Sequence, residues 1–304
     1  MSGKVKATSV KTSLLLCSIT CFFFGVLAIL PLCGDVKYVV EQGIVFGRGG
    51  DVDLRLNLAR PVEGNGPFPA LVLIHGGGWS EGNREDCDGA IIEGARRGYV
   101  AISADYRLTD VKENGVPKYP FPCQLHDVKS GVRWLRANAS KYNVNSDRIG
   151  VMGFSAGGHL ALMIGFTDSS NGLEGKSGNE AFSSRVQAIV CMAGMVEAFS
   201  YYQERRTQKE TLALLGGTPD QVPDVYRAAS PLTYVSKDNP PVLFMIGAKD
   251  LIVSPDQGKL LAEKMQASGS YCDLVLKEGF AHQAFYYDER VWSFFADHLL
   301  KEMQ

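Results

Sequence analysis

Six short apolar runs divide the chain: ALVLIH at 70–75, YVAISA at 99–104, RIGVMG at 148–153, QAIVCM at 187–192, PVLFMIG at 241–247 and CDLVLK at 272–277. They are too short for helices, rich in β-formers, and most lack the polar alternation of a half-exposed strand. Such runs read as strands buried on both faces, the signature of parallel pairing. Between them lie helix-length stretches. QLHDVKSGVRWLRANA carries Leu125, Val128, Val132 and Leu135 at helical spacing, and GKLLAEKMQAS and VWSFFADHLL are built from helix formers. Ahead of the first run, DLRLNLAR alternates Leu54, Leu56 and Leu58 with polar residues, as a half-buried antiparallel strand does. It is expected to pair with GIVFG at 43–47. Two antiparallel strands followed by about six β-α alternations imply one doubly wound α/β sheet.

Composition limits what this sheet can serve. A chain of 304 residues at 45% hydrophobic supports one catalytic-size domain. Its 31 basic and 33 acidic side chains nearly cancel, without a Lys/Arg cluster, which speaks against nucleic acid and for a small, near-neutral partner. The N-terminus differs. Lys4, Lys6 and Lys11 precede an uncharged apolar stretch, and the first acidic residue is Asp35. This pattern reads as an export leader over residues 1–34, with residues 35–304 as the catalytic domain and a secreted or periplasmic location. Leu14 to Leu32 is also long enough to span a bilayer, so a retained anchor stands as the alternative, with a lipidated Cys33 as a third form. The membrane enters only if the leader stays. Beyond residue 34 lie Cys87, Cys123, Cys191 and Cys272. The last two sit in strand-like runs as buried thiols, whereas Cys87 and Cys123 lie in polar segments where an oxidising compartment would permit a bridge. No Cys or His spacing matches a metal site, and no cofactor is expected.

Chemistry enters at GFSAGG, 153–158. The bare G-x-S-x-G pattern is weak, but here a strand precedes it and the helical HLALMIGF follows. That is a nucleophile elbow: a sharp turn lifts Ser155 out of the sheet, and small residues flank it because two backbones nearly touch. A serine hydroxyl needs an imidazole to take its proton and a carboxylate to orient that imidazole. Asp250 follows the run at 241–247, and His282 lies on a glycine-flanked loop after the run at 272–277, giving the order Ser, Asp, His. Asp256 competes as the acid. Strand ends of an open α/β sheet converge on one crevice, so these distant residues can meet there. LVLIHGGGW supplies backbone N–H donors for an oxyanion at Gly76 and Gly77, beside the N–H of Ala156. Trp79 stands either as a wall of the substrate pocket or as a cover for the core.

From about residue 40 to 302 the chain resembles the α/β-hydrolase superfamily, in its bacterial esterase and lipase group with an HGGGW oxyanion loop. The stretches that carry the resemblance are HGGGW, DYRL at 105–108, HDVKSGVRWLRANA, RIGVMGFSAGGHLA, SPLTYVSKDNPPVLFMIGAKD and AHQAF. It implies a mostly parallel eight-stranded sheet with helices on both faces. It also implies a carboxylic ester hydrolase with Ser155, Asp250 and His282 as its triad and no cofactor. Phe154 stands where the hormone-sensitive-lipase-like branch has Asp, which favours the feruloyl-esterase-like or acetyl-xylan-esterase-like branch. An exported enzyme without a recognisable lipid lid is expected to act on small or polysaccharide-linked esters with short acyl or hydroxycinnamoyl groups. Arylformamidases and dipeptidyl peptidases share the fold, as do binding relatives without activity.

Overall fold

The computed structural model describes residues 5–6, 37–111, 116–204 and 206–300. Its strands are β1 (Val5–Lys6), β2 (Tyr38–Gly49), β3 (Val52–Pro61), β4 (Phe68–Ile74), β5 (Val100–Ala104), β6 (Asp110–Val111), β7 (Pro117–Lys118), β8 (Val144–Phe154), β9 (Ala188–Met192), β10 (Val242–Gly247) and β11 (Cys272–Lys277). Apart from a small β6–β7 hairpin they form one sheet in the order β1-β2-β3-β5-β4-β8-β9-β10-β11. From β5 to β11 every pairing is parallel, while β3 runs antiparallel to both neighbours. The expected hairpin is present, with Ile44 opposite Leu56 and Gly47 opposite Leu54. The six apolar runs are the six parallel strands, and β1 adds a two-residue ninth strand beside the expected eight.

Alternation along the strands sorts the core into two halves. Val72, Ile74, Ile102, Val151, Phe244 and Ile246 face one side of the sheet; Leu71, Leu73, Ala101, Met152, Leu243 and Met245 face the other. Each fully buried side chain of this size contributes about 1.5–3 kcal/mol, so a one-residue slip would misplace both sets at once. The helices in chain order are α1 (Asp88–Arg96), α2 (Cys123–Ala137), α3 (Ala139–Tyr142), α4 (Ala156–Phe166), α5 (Ala198–Gln203), α6 (Gln208–Leu215), α7 (Pro223–Ala228), α8 (Pro255–Ser268) and α9 (Glu289–Phe295). Side chains of α2, α4 and α8 cover the first face, and those of α1 and α9 the second. The helix read at 291–300 is α9 continued by a π-helical turn over Ala296–Leu300.

Strand order also fixes where a site can form. From β4 the chain steps outward to β5, then returns across β4 to β8, so the loops after β4 and β8 diverge and open a crevice. These loops are HGGGW and GFSAG, held side by side by the pairing of Ile74 with Gly153. Beside them lies an insertion between β9 and β10 that carries α5, α6 and α7. Gln257 of α8 stitches its root: Oε1 accepts from Val196 N and Glu197 N at 2.7 and 2.8 Å, and Nε2 donates to Ser200 Oγ at 2.9 Å.

The apolar segment Leu14–Leu32, read as leader or anchor, lies outside the described residues, as does Cys33. Among the described residues no helix is long and apolar enough to cross a membrane. Cys87, Cys123, Cys191 and Cys272 are free thiols. Burial raises the thiol of Cys87 to about 11 and that of Cys272 to about 12, well above the range in which a thiolate forms at neutral pH.

Candidate active site

Ser155 sits at the sharp turn between β8 and α4 with φ 55° and ψ −119°, a conformation that a non-glycine residue adopts at a cost of about 1–3 kcal/mol. Its surroundings hold it there. Ser155 N donates to Met192 O at 2.8 Å, extending the β8–β9 ladder, and Ser155 O accepts from His159 N at 3.1 Å as α4 begins. The turn needs small neighbours. A Cβ on Gly157 would collide with the carbonyl oxygen of Ile74, so strand β4 and helix α4 could not pack this closely with any other residue there.

His282 bridges the serine to a carboxylate. Its Nε2 lies 3.0 Å from Ser155 Oγ and its Nδ1 2.7 Å from Asp250 Oδ2. A carboxylate only accepts, so Nδ1 carries the proton and Nε2 is left to accept from the serine hydroxyl. Asp250 is 4% exposed, and its second oxygen is also in use: Oδ1 accepts from the N–H groups of Ile252 and Val253, each at 2.9 Å. The competing Asp256 is elsewhere, exposed in the first turn of α8 and paired with Lys259 at 2.8 Å. Phe154, immediately before the serine, packs its ring 4.7 Å from that of His282 and so limits how far the imidazole can swing. The sequence marked Phe154 only as a departure from a pattern.

The HGGGW loop runs beside the serine. Gly77, Gly78 and Trp79 all have positive φ, at 109°, 56° and 60°. At Gly77 a Cβ would meet the carbonyl of Glu81, so only glycine fits. The loop's carbonyls at Gly76 and Gly77 are engaged within the loop itself. Gly76 O accepts from His75 Nδ1 at 2.8 Å, and Gly77 O accepts from Ser80 N and Glu81 N at 3.0 and 2.9 Å. Peptide planes with their carbonyls anchored in this way present the N–H of Gly77 and of Gly78 on the opposite side. Ala156 is the first residue of α4, where N–H groups have no helical acceptor and the helix dipole is positive.

Trp79 does not form a pocket wall. It is 1% exposed and belongs to the core, with its indole N–H donating to His159 Nδ1 at 3.2 Å and its ring edge-on to Tyr201 of α5. His159 in turn donates from Nε2 to Ala229 O at 2.8 Å, tying the elbow helix to the insertion. Accepting at Nδ1 requires a neutral ring, and complete burial pushes its pKa down to about 4. Because the folded value lies below the ordinary 6.5, the unfolded chain takes up the extra proton. The stability from this group is therefore full above about pH 6.5 and declines as pH falls towards 4. At pH 5 the loss is about 2 kcal/mol. His159→Gln, which cannot titrate, is expected to flatten this part of the stability profile relative to the parent, measured as the urea midpoint at pH 7.5 and pH 5. Parallel profiles would refute the assignment.

Among the described residues no group of three or more His, Cys, Asp or Glu is placed to hold a metal ion. The site brings together one hydroxyl, one imidazole, one carboxylate and backbone N–H donors. A family profile, BD-FAE, matches residues 56–265, more than half of the chain. The chain belongs to the BD-FAE family. This BD-FAE chain is 28% identical over 250 residues to the esterase LipC of Mycobacterium tuberculosis, covering 78% of the chain and 58% of that protein. It is 30% identical over 211 residues to the uncharacterized peptidase YtmA of Bacillus subtilis, covering 69% of the chain and 73% of that protein. It spans about half the length of several of the curated esterases it matches. Among solved structures, esterase 2 of Thermogutta terrifontis phosphonylated by sarin superposes with a TM-score of 0.70 at 25% identity, covering 89% of this chain and 98% of that one. A truncated carbohydrate esterase from gut microbiota shares the fold with a TM-score of 0.73 at 24% identity, covering 86% and 96%. The BD-FAE chain is an α/β-hydrolase by architecture.

Proposed function

We propose that the chain is a serine carboxylic ester hydrolase acting on short-chain acyl or hydroxycinnamoyl esters. The observation that carries the reading is the imidazole of His282 standing between Ser155 Oγ and Asp250. In the first half-reaction Ser155 Oγ attacks the ester carbonyl carbon while its proton passes to His282 Nε2. The carbonyl oxygen becomes an oxyanion received by N–H groups of Gly76, Gly77 and Ala156, with Gly78 as a further donor. Collapse breaks the ester C–O bond, and His282 returns the proton to the departing alcohol. Water then repeats the sequence on the acyl-enzyme, releasing the acid. Asp250 holds Nδ1–H and steadies the imidazolium.

Two observations bear on the substrate. Leu251, Ile252 and Phe280, beside the acid and the base in sequence, are exposed apolar side chains that suit a weakly polar group. Esterase 2 of Thermogutta terrifontis, at 25–26% identity, has been solved with propionate and with butyrate bound. An exported protein would meet such esters on polysaccharide, and the lysine-flanked apolar segment before Asp35 is consistent with that setting. The similarity to YtmA favours a second reading, a peptidase of the same fold. The test is a panel of p-nitrophenyl acetate, butyrate and decanoate, methyl ferulate, acetylated xylan, N-formylkynurenine and an aminoacyl p-nitroanilide. We expect the highest kcat/KM on acyl chains of two to four carbons or on ferulate. A preference for decanoate rejects the short-acyl assignment, and faster cleavage of the formamide or the anilide replaces the ester reading.

A further inference from the structure

Tyr106 takes no part in the steps above, yet its hydroxyl lies against the loop that receives the oxyanion. The side chain is buried and stacked face to face on His75, with ring centroids 4.2 Å apart and planes 8° from parallel. Its oxygen is 3.2 Å from the carbonyl oxygen of His75 and 3.3 Å from that of Gly76. Carbonyls carry no proton, so the phenol donates, and its single proton is shared between two consecutive acceptors. A trans peptide sets N–H opposite C=O. Holding the carbonyl of His75 therefore orients the N–H of Gly76, and holding the carbonyl of Gly76 orients the N–H of Gly77. The residues on either side keep the phenol in place. Asp105 accepts from Arg84 N and Nη1, both at 2.8 Å, and Arg107 makes a two-pronged pair with the buried Asp127 at 2.8 Å. Burial raises the phenol far above its ordinary range, so it stays a donor at any working pH.

We propose that Tyr106 is a positioning residue for oxyanion binding: its hydroxyl fixes the two peptide planes that present the N–H groups of Gly76 and Gly77 to the carbonyl oxygen attacked by Ser155. The proposal rests on the hydrolase reading above. His75 Nδ1 also holds the carbonyl of Gly76, at 2.8 Å, so Tyr106 adds a second grip there and its own grip on the carbonyl of His75; donors that must reorient during the reaction lose their advantage over water.

Tyr106→Phe keeps the ring and its stack on His75 but removes the grip. Because the negative charge develops fully only in the transition state, kcat is expected to fall about 10-fold while KM stays within about twofold. A fluorophosphonate places its phosphoryl oxygen where the oxyanion would sit, so the labelling rate of Ser155 should fall by a similar factor. Tyr99→Phe is the matched control, since that buried hydroxyl has no hydrogen-bond partner among the described residues and lies among residues packed by α9. It should label and turn over at the parental rate. Parental kcat and labelling in Tyr106→Phe would overturn the proposal, as would a higher KM at unchanged kcat or an equal loss in Tyr99→Phe. A parent that labels at Ser155 but cleaves no ester removes the ester reading, while the labelling comparison still decides the role of Tyr106.

Discussion

Ser155→Ala is expected to lower ester turnover by on the order of 10⁶-fold, with the fold intact. The size follows from the unit in which the serine works. Without Oγ there is no acyl-enzyme, and His282 and Asp250 then have no proton to move, so the loss equals that of the whole set rather than one third of it. Stability should change little. Alanine meets the same φ of 55° as serine does, the ladder bond from residue 155 N to Met192 O is a backbone bond, and the His282 side chain is partly exposed. The parent should form a single fluorophosphonate adduct, mapped by mass spectrometry to Ser155 and missing from the variant. An adduct at any other residue, or p-nitrophenyl acetate hydrolysis undiminished in Ser155→Ala, would refute the assignment.

Asp250→Asn should cost on the order of 10⁴-fold in kcat, although it changes one atom. The reason lies in the two N–H groups of Ile252 and Val253, which both donate to Oδ1. They require an oxygen at that position, so the asparagine amide must turn its NH₂ towards His282. Nδ1 then becomes an acceptor, the ring proton moves to Nε2, and the imidazole faces Ser155 with a donor where it needs a lone pair. Asp256→Asn is the companion measurement. That carboxylate is exposed, paired with Lys259 and in contact with Ser254, and holds neither His282 nor Ser155, so its loss should change kcat less than twofold. The reverse ranking of the two variants would show that the acid has been misidentified.

The parallel strands and the serine turn were legible because their causes are local. A strand buried on both faces is apolar at nearly every position; β5, β9 and β10 are buried throughout, and β4 is buried from residue 69 onward. The elbow needs glycine at positions 153 and 157, which the bare sequence displays. The insertion between β9 and β10 was not legible. Its three helices are six to eight residues long, too short for periodicity to speak, and they are held by distant partners such as Gln257 and by Thr109, which donates to Ala213 O at 2.9 Å. Helix α1 was passed over for a related reason: Gly89 and Gly94 lower its helix propensity, and tertiary packing against the sheet overrides them. Trp79 shows the limit for single residues. Pocket wall and core cover call for the same side chain, and its burial together with the partner of its indole N–H, His159, separates the two.

One arrangement within the sheet governs how the molecule fails. Ser155 and Asp250 are carried by β8 and β10, strands flanked on both sides, but His282 follows β11, which ends the sheet and is nowhere fully buried. That margin is fastened by surface charge pairs, Lys277 with Asp288 and Arg290 with Asp273, rather than by a second neighbouring strand. Leu274 and Val275 of β11 are only partly buried against the two halves of the core, so opening the margin is expected to need less free energy than melting the interior. The imidazole proposed as the base thus follows a strand at the margin of the sheet rather than in its interior. On the hydrolase reading proposed above, mild stress is expected to silence the site while most of the architecture still stands, with activity returning once that strand is laid back in place.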